Sequence, residues 1–197
     1  MPSSMKKIIL ITIIGFFFVN YSHSQSMPWM VIEEMDEFGD GNGNFALGYQ
    51  TTDATFSNST VGNKPLTVFI GFSKKWGVII QFKEYGKYYA SLYTGLNQHM
   101  KVKTSSGKTT AFLMIPRNKG RIFPFNTDTH KDDFLNFIQL LKVENFLKCV
   151  FMDSNHQQYN FKIDCKGFTK AYTTFLTKNG IDKVNLLDAD IVYKIGD

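Results

Sequence analysis

The segment FKEYGKYYA concentrates side chains that could recognise a ligand. It carries three tyrosines and two lysines: Tyr85, Tyr88, Tyr89, Lys83 and Lys87. Tyrosine rings can stack on a sugar or a peptide, and lysines add charge and cation–π contacts. The alternative is that half of these rings belong to the core, because an alternating strand buries every second residue. We treat the five residues as candidates for binding a partner.

Residue types that could perform catalysis are scattered along the chain. There is no G-x-S-x-G motif. The histidines that follow the first 24 residues lie far apart, at His99, His130 and His156. The carboxylates Asp132 and Asp133 stand at a predicted helix start, where negative charge favours the helix dipole. The sequence therefore predicts no catalytic residues and no enzyme. A secreted hydrolase or inhibitor is the rival interpretation, and it requires one of the histidines in a cleft beside Ser, Cys or carboxylate side chains.

The loop Asp36–Asn44 gathers three carboxylates and two amides, which are oxygen ligands that calcium prefers. Reading an EF-hand from Asp40 puts Phe45 where the motif has glycine and Thr51 where it has the bidentate glutamate. A glycine-rich hairpin loop accounts for the same residues. We expect no metal and no cofactor; a calcium-stabilised structural domain is the alternative.

Two cysteines, Cys149 and Cys165, lie in the segments FLKCVFMD and YNFKIDCK, which alternate like two paired strands. Both sulfurs are expected on the apolar side. If the register places the two residues opposite each other they form a disulfide, and a slip of two residues leaves two buried thiols. With the histidines scattered, they make no zinc site.

The first 24 residues have the parts of a secretory signal peptide. Lys6-Lys7 precedes the twelve-residue apolar run Ile8–Val19, and the small residues Ser22 and Ser24 favour cleavage before Gln25. A spanning helix needs ~20 apolar residues, so a cleaved leader is favoured over an uncleaved anchor. We expect a periplasmic or extracellular protein, without stable membrane insertion after cleavage.

Removing residues 1–24 leaves 173 residues, which suits one β-rich domain over residues 25–197. The formal charge falls from +5 to +3 because both leader lysines leave with it. The lysines Lys101, Lys103 and Lys108 alternate with polar residues and show no clustered basic stripe in the sequence. A solvated face is expected there, and no nucleic-acid partner.

Short strands with local turn signals predict antiparallel hairpins. The expected pairs are Trp29–Glu34 with Phe45–Thr52, Pro65–Phe72 with Trp76–Phe82, His99–Thr104 with Thr110–Ile115, and Phe146–Asp153 with Tyr159–Lys166. Asp188–Ile195 is expected to add an edge strand. The predicted fold is mainly β, an antiparallel β-sandwich with two short packed α-helices.

The two helices are predicted from apolar residues at helical spacing. Thr129 caps the first, whose apolar positions are Phe134, Phe137, Ile138 and Leu141. The second runs from Thr169 to Lys178 and buries Ala171, Tyr172, Phe175 and Leu176. It is expected to end at Asn179-Gly180 with a left-handed residue.

The order Trp29-x-Val, PLTVFIGF, WGVIIQF, DDFLNFIQLLK and YNFKIDCKGFTKAY resembles the periplasmic β-sandwich proteins of the type VI secretion-associated VasI family and of the invasion-associated locus B family. Phe161, Gly167, Phe168 and Ala171 stand where those families place a strand that ends in a glycine–aromatic step into a short helix. Cysteines typical of the VasI group are replaced here by Ile70-Gly71-Phe72 and Lys178-Asn179, so any disulfide is a different one. The resemblance implies a small non-catalytic envelope domain.

Together these features predict an exported, non-catalytic binding or accessory protein of the cell envelope. Its expected partner is a protein or a glycan, engaged through a sheet face or through the loops around Asp36–Asn44 and Phe82–Ala90.

Overall fold

The structure, a computed structural model, describes residues 27–36, 38–74, 77–124 and 131–181. The predicted leader, the helix cap Thr129, His130 and the tail strand 188–195 lie outside the described residues. The elements within them are β1 (Met27–Met35), β2 (Gly41–Thr51), β3 (Ala54–Ser57), β4 (Lys64–Ser73), β5 (Gly77–Glu84), β6 (Tyr88–Tyr89), β7 (Gln98–Thr104), β8 (Thr109–Arg117), β9 (Arg121–Pro124), α1 (Lys131–Val143), β10 (Phe146–Met152), β11 (Gln158–Asp164) and α2 (Phe168–Lys178).

The four predicted hairpins are confirmed. β1 pairs with β2, β4 with β5, β7 with β8 and β10 with β11, each in antiparallel register. Left-handed residues lie in three of the connections: Gly39 between β1 and β2, Gly107 between β7 and β8, and His156 between β10 and β11. Glu37, Lys75 and Trp76, the first residue of one predicted strand, lie outside the described residues.

The sheet closes into an eight-stranded antiparallel barrel, so the prediction of a sandwich is wrong. The ring runs β3-β4-β5-β9-β8-β7-β10-β11 and returns to β3, because β4 pairs with β5 on one edge and with β3 on the other. Inward and outward residues alternate in the same way in a sandwich and in a barrel. Closure depends on β3 and β9, two four-residue strands that the sequence pattern did not reveal.

Alternate side chains of every long barrel strand fill the interior. β7 shows the pattern most clearly, since its residues are buried and exposed in strict alternation. The fully buried interior includes the rings of Phe82 and Tyr159, whose centroids lie 4.8 Å apart in a stacked arrangement, and Phe151 beside them. The barrel of the described residues is therefore a packed core, as expected for eight strands.

β1, β2 and α2 lie beside the ring and complete its hydrogen bonding. Where β11 runs past the end of β3, the backbone N–H of Asp164 donates to the Tyr49 hydroxyl at 2.8 Å, and the Trp29 indole N–H donates to the Asp164 carbonyl at 2.8 Å. The Trp29 ring stacks on Tyr49 and meets the edge of Phe168. Side chains thus satisfy backbone groups that would otherwise be unpaired.

Both predicted helices are confirmed. Phe137, Ile138 and Leu141 of α1 are buried, as are Tyr172, Phe175 and Leu176 of α2, which begins one residue earlier than predicted. Ala171 is only partly buried. Gly180 is left-handed, with φ of 64°, as the C-terminal signal predicted. The structure does not describe the side chain of Phe134, so its place on the apolar face of α1 stays a prediction.

Gly120, in the turn between β8 and β9, leaves no room for a side chain. Its φ is +63°, and a Cβ there would lie 2.5 Å from the Phe82 carbonyl oxygen and 2.8 Å from the Ala90 nitrogen. Gly107, in the turn between β7 and β8, has φ of +92° with no atom within 4 Å of an added Cβ.

We expect Gly120→Ala to lower the free energy of unfolding by about 2 kcal/mol more than Gly107→Ala. Both variants strain the backbone by about 1–3 kcal/mol, and only the first drives a methyl group into the β5 backbone, an overpacking that costs about 1–3 kcal/mol. Urea unfolding of both variants checks this. Equal losses would show that the turn does not pack against β5.

Candidate functional site

Four tyrosines are exposed at one end of the barrel. Tyr85 in the β5–β6 turn is 47% exposed, Tyr88 67%, Tyr89 41%, and Tyr93 in the following loop 43%. Leu96 of the same loop is 59% exposed. Large rings exposed together are unusual for a surface without a partner. We call Tyr85, Tyr88, Tyr89 and Tyr93 the tyrosine rim.

The backbone of the β5–β6 hairpin sets the directions of the predicted residues. Tyr88 is opposite Glu84 and Tyr89 is opposite Lys83, so the two neighbouring tyrosines point to different faces. Tyr85 has φ of 52° and meets the edge of the buried Phe56 ring at 5.1 Å. Tyr85 is thereby anchored against the core, whereas the strand pairing positions Tyr88 and Tyr89.

Lys83 lies against aromatic rings. Its Nζ is 4.8 Å from the Phe69 ring centroid and 5.4 Å from that of Tyr89, and burial lowers the pKa of this lysine. Burial also lowers the pKa of Arg121, while the charge of Tyr89 acts in the opposite direction. The Lys83 ammonium therefore lies beside the Tyr89 ring. Lys87 is exposed in the turn and has no such ring contact among the described residues.

The loop 90–97 crosses this end of the barrel, because it leaves β6 and enters β7. The Gln157 amide Nε2 donates to the Ser91 carbonyl at 3.2 Å, and the Tyr93 backbone N–H donates to an Asp153 carboxylate oxygen at 3.4 Å. The β10–β11 turn thus holds the loop in place. Sequence reasoning missed Tyr93, Leu96 and Arg121 because only this tertiary contact and the closure of the ring place them beside the β5–β6 hairpin.

A cluster of polar side chains lies beneath the rim. The Tyr159 hydroxyl is 3.0 Å from Glu84 Oε1 and 3.0 Å from Gln157 Oε1. The hydroxyl has one proton and faces two acceptors, so a protonated Glu84 would satisfy both contacts. Burial raises the pKa of Glu84, and the charge of Asp153 adds to this, whereas the hydrogen bond from Tyr159 lowers it. Burial, with Glu84 nearby, also raises the pKa of Tyr159.

Asp153 organises the β10–β11 turn. One carboxylate oxygen accepts the backbone N–H groups of Asn155 and Gln157 at 2.9 and 3.0 Å. Gln98, buried at the start of β7, donates its amide to the Tyr93 carbonyl at 3.5 Å, and its Oε1 has no hydrogen-bond partner among the described residues. The end of the barrel therefore holds one buried acceptor that the described chain leaves unpaired.

The candidate disulfide is absent. Cys149 pairs with Phe161 rather than with Cys165, and both cysteines are free and buried. The Asp153 turn sets this register, because it makes Met152 opposite Gln158 the last pair of the hairpin. Burial raises the pKa of Cys165 to about 12 and that of Cys149 as well. Both residues act as core side chains.

The structure gives the other candidate residues ordinary positions. His99 is exposed on the outer face of β7, and His156 is exposed in the β10–β11 turn. In the Asp36–Asn44 loop, an Asp36 carboxylate oxygen accepts the N–H groups of Phe38 and Asp40 at 2.8 and 3.0 Å, so it shapes the turn. Within the described ranges, no three His, Cys, Asp or Glu side chains are grouped so that they could hold a metal ion.

Compared with known proteins, the chain matches no family model, and no curated protein or solved structure shows significant similarity to it. The resemblance to the VasI and invasion-associated locus B families therefore stays a prediction. None of the helices in the described part of the chain has the length and apolar character needed to cross a membrane.

We expect Glu84→Gln to remove a pH-dependent loss of stability. Burial raises the pKa of Glu84 in the folded protein above its usual value of 4.5, so the protonated carboxyl group stabilises the fold. This stabilisation is fully present below pH 4.5 and is lost as the pH rises through the folded pKa. Glutamine stays neutral and can donate to Tyr159. The melting temperature of E84Q should exceed that of the parent protein at pH 7.5, by a margin that shrinks at pH 4.

Thermal melts by circular dichroism at both pH values check this, with the exposed Asp53→Asn as the control carboxylate. If E84Q is less stable than the parent at pH 7.5 and equal to it at pH 4, the partly buried Glu84 carboxylate stabilises the fold as an anion, and the assignment of its protonation is wrong.

Proposed function

We propose that this is an exported, non-catalytic binding protein that engages a glycan of the cell envelope through the tyrosine rim. The observation that carries the proposal is the gathering of four exposed tyrosines at one end of a barrel whose interior is filled. A ligand must then bind to the outside of the molecule, and this end brings four exposed tyrosine rings together. Export rests on the leader-like residues 1–24.

Two features favour a glycan over a protein partner. The exposed rings carry hydroxyl groups, so they can stack on the C–H face of a sugar while hydrogen-bonding its edge. The Lys83 ammonium lies beside the Tyr89 ring, where it can donate to a sugar hydroxyl, whereas lysine is depleted from protein interfaces.

We expect Tyr88→Ala to weaken glycan binding about three- to tenfold, since an aromatic contact contributes about 0.5–1.5 kcal/mol. Phe38→Ala is the matched control, because Phe38 is 82% exposed in the β1–β2 turn, away from the rim. Wild-type protein is screened on an array of neutral and acidic oligosaccharides. Isothermal titration then measures the strongest ligand with each variant.

Three outcomes would contradict the proposal. The array could yield no ligand, or Phe38→Ala could lose as much affinity as Tyr88→Ala. A purified envelope protein that binds the wild type and not Tyr88→Ala, with no glycan bound, would assign the rim to protein recognition.

Export is tested separately. Protein recovered from the envelope fraction should begin at Gln25, and an intact leader on protein in the cytosol would refute export.

A further inference from the structure

Three lysines from three neighbouring strands form a row on the outer wall of the barrel. Lys148 of β10 pairs directly with Lys103 of β7 on one side and with Lys162 of β11 on the other. Lys101 lies two residues before Lys103 and therefore on the same face. Lys101, Lys103 and Lys148 are exposed, and Lys162 is partly buried. We call Lys103, Lys148 and Lys162 the lysine row.

This arrangement opposes folding. Directly paired residues place their Cβ atoms about 5 Å apart, and like charges at such positions destabilise a sheet. The Nζ atoms of Lys148 and Lys162 lie 5.9 and 4.8 Å from the centroid of the same ring, Phe146, which keeps both charges in one small region. A carboxylate oxygen of Asp164, farther along the same face, accepts the backbone N–H of Lys166. Asp53, whose backbone carbonyl accepts the Lys162 N–H, continues the β3–β11 register opposite Lys162, so an acidic residue borders the row on that side. At the centre of the row Lys148 has a lysine on each side, and this pairing of like charges favours an anionic ligand.

We propose that the lysine row binds a linear acidic polysaccharide, whose carboxylate or sulfate groups the three ammonium groups contact in turn. The row crosses two strand spacings, about 10 Å, which suits a chain carrying charges at intervals better than a single small anion. A flat anionic membrane would touch only part of the convex barrel wall. Nucleic-acid bases need exposed rings for stacking, and Phe146 is partly buried beside two ammonium groups. The proposal does not depend on the tyrosine rim.

The test compares two triple variants of the full mature chain that lose the same charge. K103Q/K148Q/K162Q removes the row, and K64Q/K74Q/K170Q removes exposed lysines from other places. The probes are polygalacturonate and heparin, with neutral dextran as the negative control, at 50 and 200 mM salt. We expect the row variant to bind at least tenfold more weakly and to lose most of its salt dependence, while the control variant stays within twofold of the parent.

Equal losses in both triple variants would mean attraction by net charge alone and would overturn the proposal. So would unchanged binding by the row variant. Tighter binding to phosphatidylglycerol vesicles or to single-stranded DNA than to either polysaccharide would assign the row to another class of ligand.

The single variant K148Q separates binding from folding. It removes the lysine with like charges on both sides, so we expect a higher melting temperature together with weaker polysaccharide binding. A higher or unchanged melting temperature with full affinity would show that the central lysine of the row does not contact the ligand, and a lower melting temperature would show that the row is not destabilising.

Discussion

Closure of the sheet between β5 and β9 is the constraint on which the rest of the structure depends. β5 already pairs with β4, and the Phe82 N–H donates to the Gly120 carbonyl at 2.8 Å to join its other edge to the β8–β9 turn. Glycine at position 120 permits this approach, since a Cβ would meet the β5 backbone. Once the ring is closed, none of its eight strands has a long free edge, and its inward side chains must fill a space of fixed size.

The filled interior explains where recognition can take place. Phe82, Phe151 and Tyr159 stack against one another inside the ring. Recognition is therefore left to the outer wall and to the end of the barrel where Asp153 contacts the loop 90–97 and Glu84 contacts Tyr159. The polar groups below the rim hold the loop in position, and the exposed rings above them form the surface that we propose binds a glycan. Both proposed binding surfaces, the tyrosine rim and the lysine row, lie on the outside of the barrel because its interior is filled.

Much of the local structure was predictable from the sequence, because hairpins and amphipathic helices are encoded by neighbouring residues. The closed barrel was not predictable from the sequence. The strands β3 and β9 have only four residues each, which is too short for a recognisable pattern, and closure joins residues far apart in the chain. The sequence left the two cysteines open between a disulfide and two buried thiols for a related reason: hydrogen bonds to Asp153 fix the turn and so put Cys149 opposite Phe161.

Prediction of the candidate site from the sequence was limited in the same way. Tyr85, Tyr88 and Tyr89 stand out in the sequence because they fall within five residues, and in the structure all three are exposed. The lysine row is invisible there, because residues 103, 148 and 162 meet only through the registers of two strand pairings. In the sequence, Lys101 and Lys103 indicated an ordinary solvated strand face.

A cross-link between β5 and β9 tests the closed barrel most directly. Gln81 and Arg121 are directly opposed and partly exposed at this seam, and such pairs lie within disulfide range. After mild oxidation of the double variant Q81C/R121C, peptide mapping by mass spectrometry should find the two introduced thiols bonded to each other, while Q81C/A111C stays reduced. Two free thiols at these positions in folded Q81C/R121C would contradict closure and leave the sheet open between β5 and β9.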